Sequence, residues 1–254
     1  MKLNKLKFAV MGALMVPMVP LVAEEATSEW GVSGNVGLFS DYVFRGYTQT
    51  INEPALQGGF DLEHSSGFYA GVWASNVDWT VEGGSMEENS LEIDVYAGFS
   101  GSFGDSGLSW DIGILQFLYP GKDTTPSSGM EADATEVYGS LGYDYGAFSV
   151  ALTNYHVVSN DAWAFGDMDG ENYTHLGIDV PAGDSLTLSV GVGHQTFGDS
   201  KYDYTDWKLN AEYALNDTYA VGAFYTDTDQ SDDWTINGTE LGDDTAGAYL
   251  SASF

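Results

Sequence analysis

The last nine residues place Ala246, Ala248, Leu250, Ala252 and Phe254 on one side of an extended chain and Gly247, Tyr249, Ser251 and Ser253 on the other. Period-two alternation of this kind marks a strand with one apolar face. It recurs in segments of roughly ten residues, the length a tilted strand needs to cross a bilayer. In the first segment Val32, Gly34, Val36, Leu38, Tyr42 and Phe44 oppose Ser33, Asn35, Asp41 and Arg45. The second sets Leu56, Gly58, Phe60 and Leu62 against Gln57, Asp61 and Glu63, and the third sets Phe68, Ala70, Val72 and Ala74 against Tyr69, Trp73 and Ser75. The clearest alternates Leu91, Ile93, Val95, Ala97 and Phe99 with Glu92, Asp94, Tyr96 and Gly98. A fifth carries Leu108, Trp110, Ile112 and Ile114 opposite Asp111, and its phase slips between Leu115 and Tyr119, which predicts a bulge. Further segments lie at 137–143, 148–154, 174–180, 186–192, 205–213, 219–225 and 246–254, so about twelve strands are expected.

The connections alternate in length. Those near 64–67, 100–107, 144–146, 181–185 and 215–217 are short; those at 47–54, 76–89, 120–134, 156–170, 195–203 and 227–245 are long. An all-β transmembrane antiparallel up-and-down barrel shows this rhythm, with short periplasmic turns and long, here acidic, extracellular loops. A soluble sandwich also alternates, but its polar face does not carry carboxylates at successive positions as here. The N-terminus reads as an export signal. Lys2, Lys5 and Lys7 precede an apolar stretch over 8–22 that Pro17 and Pro20 interrupt, with cleavage expected after Ala23. The expected organisation is therefore a signal over 1–23 and one barrel domain over 24–254. Trp30, Tyr42, Phe44, Phe68, Trp79, Phe99, Trp110, Tyr119, Tyr213, Tyr219 and Phe254 fall near strand ends, where two aromatic girdles would lie.

Charge narrows the function. The formal net charge is −31, and it becomes −34 once the three leader lysines are gone, leaving Arg45, Lys122, Lys201 and Lys208 against 38 acids. Such a chain repels nucleic acid and other polyanions. Its natural counterparts are cations, small solutes, and the lipid and lipopolysaccharide around it. With no cysteine, disulfides and thiolate chemistry are excluded.

Phase assigns Asp41, Asp61, Glu63, Glu92, Asp94, Asp111, Glu136, Asp179 and Glu212 to the lumen, opposed by Arg45 and Lys208. Carboxylates on a pore wall concentrate cations and repel anions. The same acids could instead pair with Arg45, Lys208 and tyrosine hydroxyls and fill the interior, since twelve strands enclose less than the 16–18 of wide aqueous porins. Arg45, two inward positions from Asp41, reads as an ion-pair anchor for the first loop or as a constriction residue. Asp167, Asp169, Asp227 and Asp229 sit in runs that hint at calcium loops, but neither run has the full spacing, and a solvated acidic surface is the preferred reading. No metal or cofactor is expected. His156 with Ser159 and Asn160 raises the remote alternative of an outer-membrane lipase, without a motif around them that supports it.

Several stretches resemble a known family. These are Ser40 to Gly46, Pro54 to Gly59, Gly67 to Asn76, Glu92 to Gly98, Tyr119 to Gly121 and Glu136 to Tyr138. Together they are similar to the TorF-type porins of Proteobacteria, formerly a conserved family of unknown function. The likeness is densest from Gly34 to Tyr138. It implies an outer-membrane barrel with a transport role, and it carries over no catalytic residue. The expectation is a porin that passes small cationic or neutral solutes by diffusion. The alternative is a non-conducting barrel that works through its acidic loops. The C-terminal strand ending at Phe254 is the expected contact for barrel-assembly machinery.

Overall fold

The computed structural model describes residues 29–123, 132–230 and 234–254; the expected leader over 1–23 lies outside them. Twelve strands make the barrel: β1 (Trp30–Phe39), β2 (Ala55–His64), β3 (Phe68–Asn76), β4 (Leu91–Ser102), β5 (Leu108–Leu118), β6 (Ala134–Asp144), β7 (Ser149–Val157), β8 (Asn172–Pro181), β9 (Leu186–Thr196), β10 (Tyr204–Ala214), β11 (Tyr219–Thr228) and β12 (Thr245–Ser253). Each pairs antiparallel with its sequence neighbours, and β1 closes on β12 from Asn35↔Ser253 to Phe39↔Tyr249. Phe254 adds a reciprocal backbone pair with Gly34, at 2.8 and 2.9 Å. Closure pairs the first and last strands of the barrel sheet, as a bilayer demands because it offers no water to unpaired backbone groups. Strands of nine to twelve residues are long enough to cross.

The alternating apolar residues form the outer face. Val32 is 65% exposed, Leu56 63% and Phe60 60%, and the band continues through Ile112, Leu141, Leu152, Val190 and Leu250. An apolar surface that encircles the molecule is unstable in water and suited to lipid. The five short turns (65–67, 103–107, 145–148, 182–185, 215–218) lie at one end, and the six long connections (40–54, 77–90, 119–133, 158–171, 197–203, 229–244) lie at the other.

On the inner face, tyrosines lie across glycines of the adjacent strand. Tyr96 pairs with Gly71, Tyr69 with Gly98, Tyr138 with Gly113 and Tyr249 with Gly222. In each pair the ring fills the space that a Cβ on the glycine would need. These contacts account for part of the chain's glycine content: a side chain at those positions would push the ring off the wall. They are the inward counterpart of the cross-strand pairs that stabilise sheets.

Three expectations change. First, β5 keeps one register with both β4 and β6, so there is no bulge. Ile112 and Ile114 face outward while Leu115 and Phe117, 4% and 1% exposed, face inward. The apparent slip arises because both faces are apolar where the lumen is packed. Second, β1 ends at Phe39, so Tyr42, Phe44 and Arg45 belong to the first long connection and not to the strand. Third, Tyr42 and Tyr119 are buried inside, with Phe44 and Trp79 packed against the same cluster, so these four are not girdle residues. Trp30, Phe68 and Phe99 do gather at the short-turn end, with ring centroids 6.2 Å and 5.4 Å apart.

Candidate functional site: a hairpin inside the lumen

Residues 40–54 turn into the barrel. Val43–Phe44 pairs with Tyr47–Thr48, and Arg45 (φ 48°) and Gly46 (φ 86°) form the tip between them. Two central residues at positive φ are what a two-residue type I′ hairpin turn requires. Gly46 is needed there twice over, since a Cβ would strike Thr228 and Asp206. Asp41 holds the root of the hairpin, its Oδ1 accepting Thr48 Oγ1 at 2.6 Å and Thr50 Oγ1 at 2.9 Å. Burial raises the Asp41 carboxyl above its ordinary value, and those hydrogen bonds oppose the shift.

The tip delivers Arg45 into the lumen. Its Nη2 donates to Glu136 Oε2 on β6 at 2.7 Å, and its Nη1 donates to Gln195 Oε1 on β9 at 3.2 Å. The guanidinium carbon lies 4.4 Å from the Tyr173 ring centroid, 4.7 Å from Phe44, 5.1 Å from Tyr155 and 5.8 Å from Trp163. Burial works against the charged guanidinium, but the Glu136 charge and hydrogen bond outweigh it and raise the Arg45 pKa. Arg45 therefore pairs with Glu136 and not with Asp41. The two residues separate because Asp41 stays at the root of the hairpin, bonded to Thr48 and Thr50, while Arg45 stands at its tip.

The wall acids are partnered in pattern. Glu92 accepts Tyr42 and Tyr119 hydroxyls at 2.6 Å each, and Asp111 accepts Tyr69, which also meets Tyr138. Asp61 accepts Tyr96, Glu212 accepts Tyr249 at 3.0 Å, and Asp179 accepts Ser189 at 2.6 Å. Asp94 is fully buried, and neither oxygen has a hydrogen-bond partner among the described residues. Glu63 is exposed at the end of β2. Lys208 on β10 sits 4.2 Å over the Phe224 ring and lines a cavity of about 190 Å³ with His175, Asp179, Ser189 and Asn210. A second cavity of about 640 Å³ opens among Asp41, Asn52, Glu240, Asp243 and Asp244 at the long-loop end.

The phase reading did not single out Asp206. It accepts Tyr173 at 3.0 Å and shares the phase of Lys208 and Glu212, so the signal for it was present. The hairpin and its aromatic surroundings were also missed; their trace is a turn-forming Arg45-Gly46 pair flanked by β-formers.

Other candidates separate. Asp227 Oδ1 accepts the Thr228 amide at 2.8 Å and Asp229 Oδ1 the Thr205 amide at 2.7 Å, Asp169 is exposed, and the Asp167 side chain lies outside the described residues. Among the described residues no three His, Asp or Glu side chains are grouped to hold a metal. His156 contacts Asn172 at 3.2 Å, whereas Ser159 Oγ accepts the Thr135 amide at 3.1 Å, so the two are not arranged as base and nucleophile.

A closed twelve-strand antiparallel barrel with a long-loop hairpin inside it is a porin-like fold. Solved porin structures share the barrel fold. The KdgM porin superposes with TM-score 0.57 at 8% identity, covering 87% of this chain and 98% of KdgM. The NanC porin gives 0.58 at 10%, covering 88% and 99%, and a KdgM complex with disordered oligogalacturonate gives 0.54 at 8%, covering 88% and 97%. Residues 23–254 match the family described as "Bacterial protein of unknown function (Gcw_chp)", and the chain belongs to that family. No curated protein matches it by sequence.

Proposed function

We propose that the protein is an outer-membrane porin of the TorF type that passes small cationic or neutral solutes by passive diffusion, with short turns toward the periplasm and long loops outside. The observation that carries this reading is the sign of the inner wall. Asp61, Glu92, Asp94, Asp111, Glu136, Asp179, Asp206 and Glu212 stand on the barrel strands against Lys208. Their summed field favours cations and repels solutes that bear carboxylates. The likeness to KdgM thus extends to architecture and not to an acidic oligosaccharide ligand. Mechanistically, selection would act by width at the level of the hairpin and by charge along the wall. Tyrosine hydroxyls hold Asp61, Glu92, Asp111, Asp206 and Glu212 against the wall, while Glu136 pairs with Arg45.

Swelling of liposomes that contain the refolded mature chain tests this. Small amines and polyols are expected to enter faster than carboxylates of equal size. Faster admission of the carboxylates would contradict the reading. A second reading, a non-conducting barrel acting through its loops, is favoured by the docked hairpin alone; it predicts no swelling with any solute.

A further inference from the structure

Arg45 is held in the lumen as a ligand is held. Four ring faces surround the guanidinium, from Phe44 on its own hairpin and from Tyr155, Trp163 and Tyr173 on other segments. One carboxylate and one amide oxygen meet its N–H groups. Aromatic faces arranged with a carboxylate form the standard recognition set for guanidinium and alkylammonium groups. Two features mark the occupant as replaceable. Arg45 uses a single nitrogen on a single oxygen of Glu136, while Glu136 Oε1 and Arg45 Nε, both buried, have no hydrogen-bond partner among the described residues. A free guanidinium can offer two parallel N–H groups to both Glu136 oxygens, which a side chain tethered at a tight turn does not achieve here. Trp163 (φ 49°) and Ala164 (φ 59°) are the central residues of a second tight hairpin turn, which holds the Trp163 ring beside the guanidinium.

We infer that this cage is a binding site for small guanidinium or alkylammonium solutes, and that Arg45 is its tethered occupant, displaced when such a solute binds. Displacement frees the hairpin tip from Glu136 and Gln195, so the cation that is to be carried opens its own path. The inference names a solute class and a gate within the conduit reading above. Binding to the cage stands without that reading, whereas the opening step rests on it.

The test uses the full mature chain refolded in detergent and in planar bilayers, with ethylguanidinium as probe and ethylurea as its neutral isostere. In Arg45→Ala, whose folding is checked by heat-modifiable gel mobility, millimolar ethylguanidinium is expected to raise the Tm saturably. Ethylurea is not expected to do so, and adding Glu136→Gln is expected to weaken the response at least tenfold. In wild type, ethylguanidinium is expected to raise mean conductance several-fold where ethylurea leaves it unchanged. A folded Arg45→Ala chain that answers both probes alike, or neither, overturns the cage. Binding without any change in wild-type conductance keeps the cage and overturns the gate. If Arg45→Ala does not fold, Arg45→Lys serves, because its shorter ammonium should yield to ethylguanidinium at lower concentration than wild type; an unchanged or higher midpoint overturns the proposal.

Discussion

At the scale of single residues, the molecule depends on how few positive charges it has inside. Glu136 is fully buried against Arg45, and removing one partner of such a pair leaves an uncompensated charge, a cost of about 3–5 kcal/mol. Glu136→Gln is therefore expected to undock the hairpin and make residues 40–54 cleavable by protease in a barrel that otherwise resists. Equal resistance in both proteins would contradict the role given to the pair. Asp41 gives a pH dependence. Its folded pKa is raised by burial, so the stability it contributes is greatest below the ordinary carboxylate value and is lost as pH rises through the raised one. Asp41→Asn removes that dependence. The Tm of wild type should accordingly gain on that of Asp41→Asn as pH falls from 7 to 4, and a pH-independent difference would count against it. The strand-borne carboxylates are legible in the sequence because phase alone assigns a side chain to a face. Their tyrosine partners are not, because which hydroxyl reaches which acid depends on cross-strand register.

Elements explain what the alternation could and could not reveal. The strands and the long–short rhythm of connections are legible because the signal is local and repeats twelve times. The hairpin is not, because apolar–polar alternation runs on through Tyr42 and Phe44 after the strand has stopped at Phe39. What turns the chain inward is tertiary: Tyr42 meets Glu92, Tyr47 packs edge-to-face on Tyr204 with ring centroids 4.9 Å apart, and Arg45 reaches Glu136. The phase slip near Leu115 was the sequence's sign of that packing, and it reads as a bulge only if the lumen is assumed to be wet. The turn is testable. Gly46→Val places a branched side chain at φ 86° and against Thr228, and should destabilise the docked hairpin by at least about 1–2 kcal/mol, read as faster hydrogen exchange over 43–48 with exchange in the barrel strands unchanged. Nearer the short-turn end of β11, Gly222→Ala should push Tyr249 away from Glu212, costing about 1–3 kcal/mol and lowering the Tm. An unchanged Tm would show that the ring is not held by the glycine.

For the whole molecule, twelve strands enclose a lumen that is neither filled by wall side chains alone, as in eight-stranded barrels, nor wide enough to stay open around a large loop. One hairpin at the long-loop end is enough to set its bore, and a cavity with Lys208 and Asp179 on its wall remains toward the short turns. On the proposed reading the charged wall selects, beside an obstruction anchored by the Arg45–Glu136 ion pair, the Tyr42–Glu92 hydrogen bond and the Tyr47–Tyr204 contact. The most direct measurement is single-channel conductance under a KCl gradient, for wild type and for a chain in which residues 43–48 are replaced by a short glycine–serine link. The account predicts small cation-selective steps from wild type and several-fold larger steps, still cation-selective, from the shortened chain. Anion selectivity, or equal conductance from two correctly folded barrels, would contradict it.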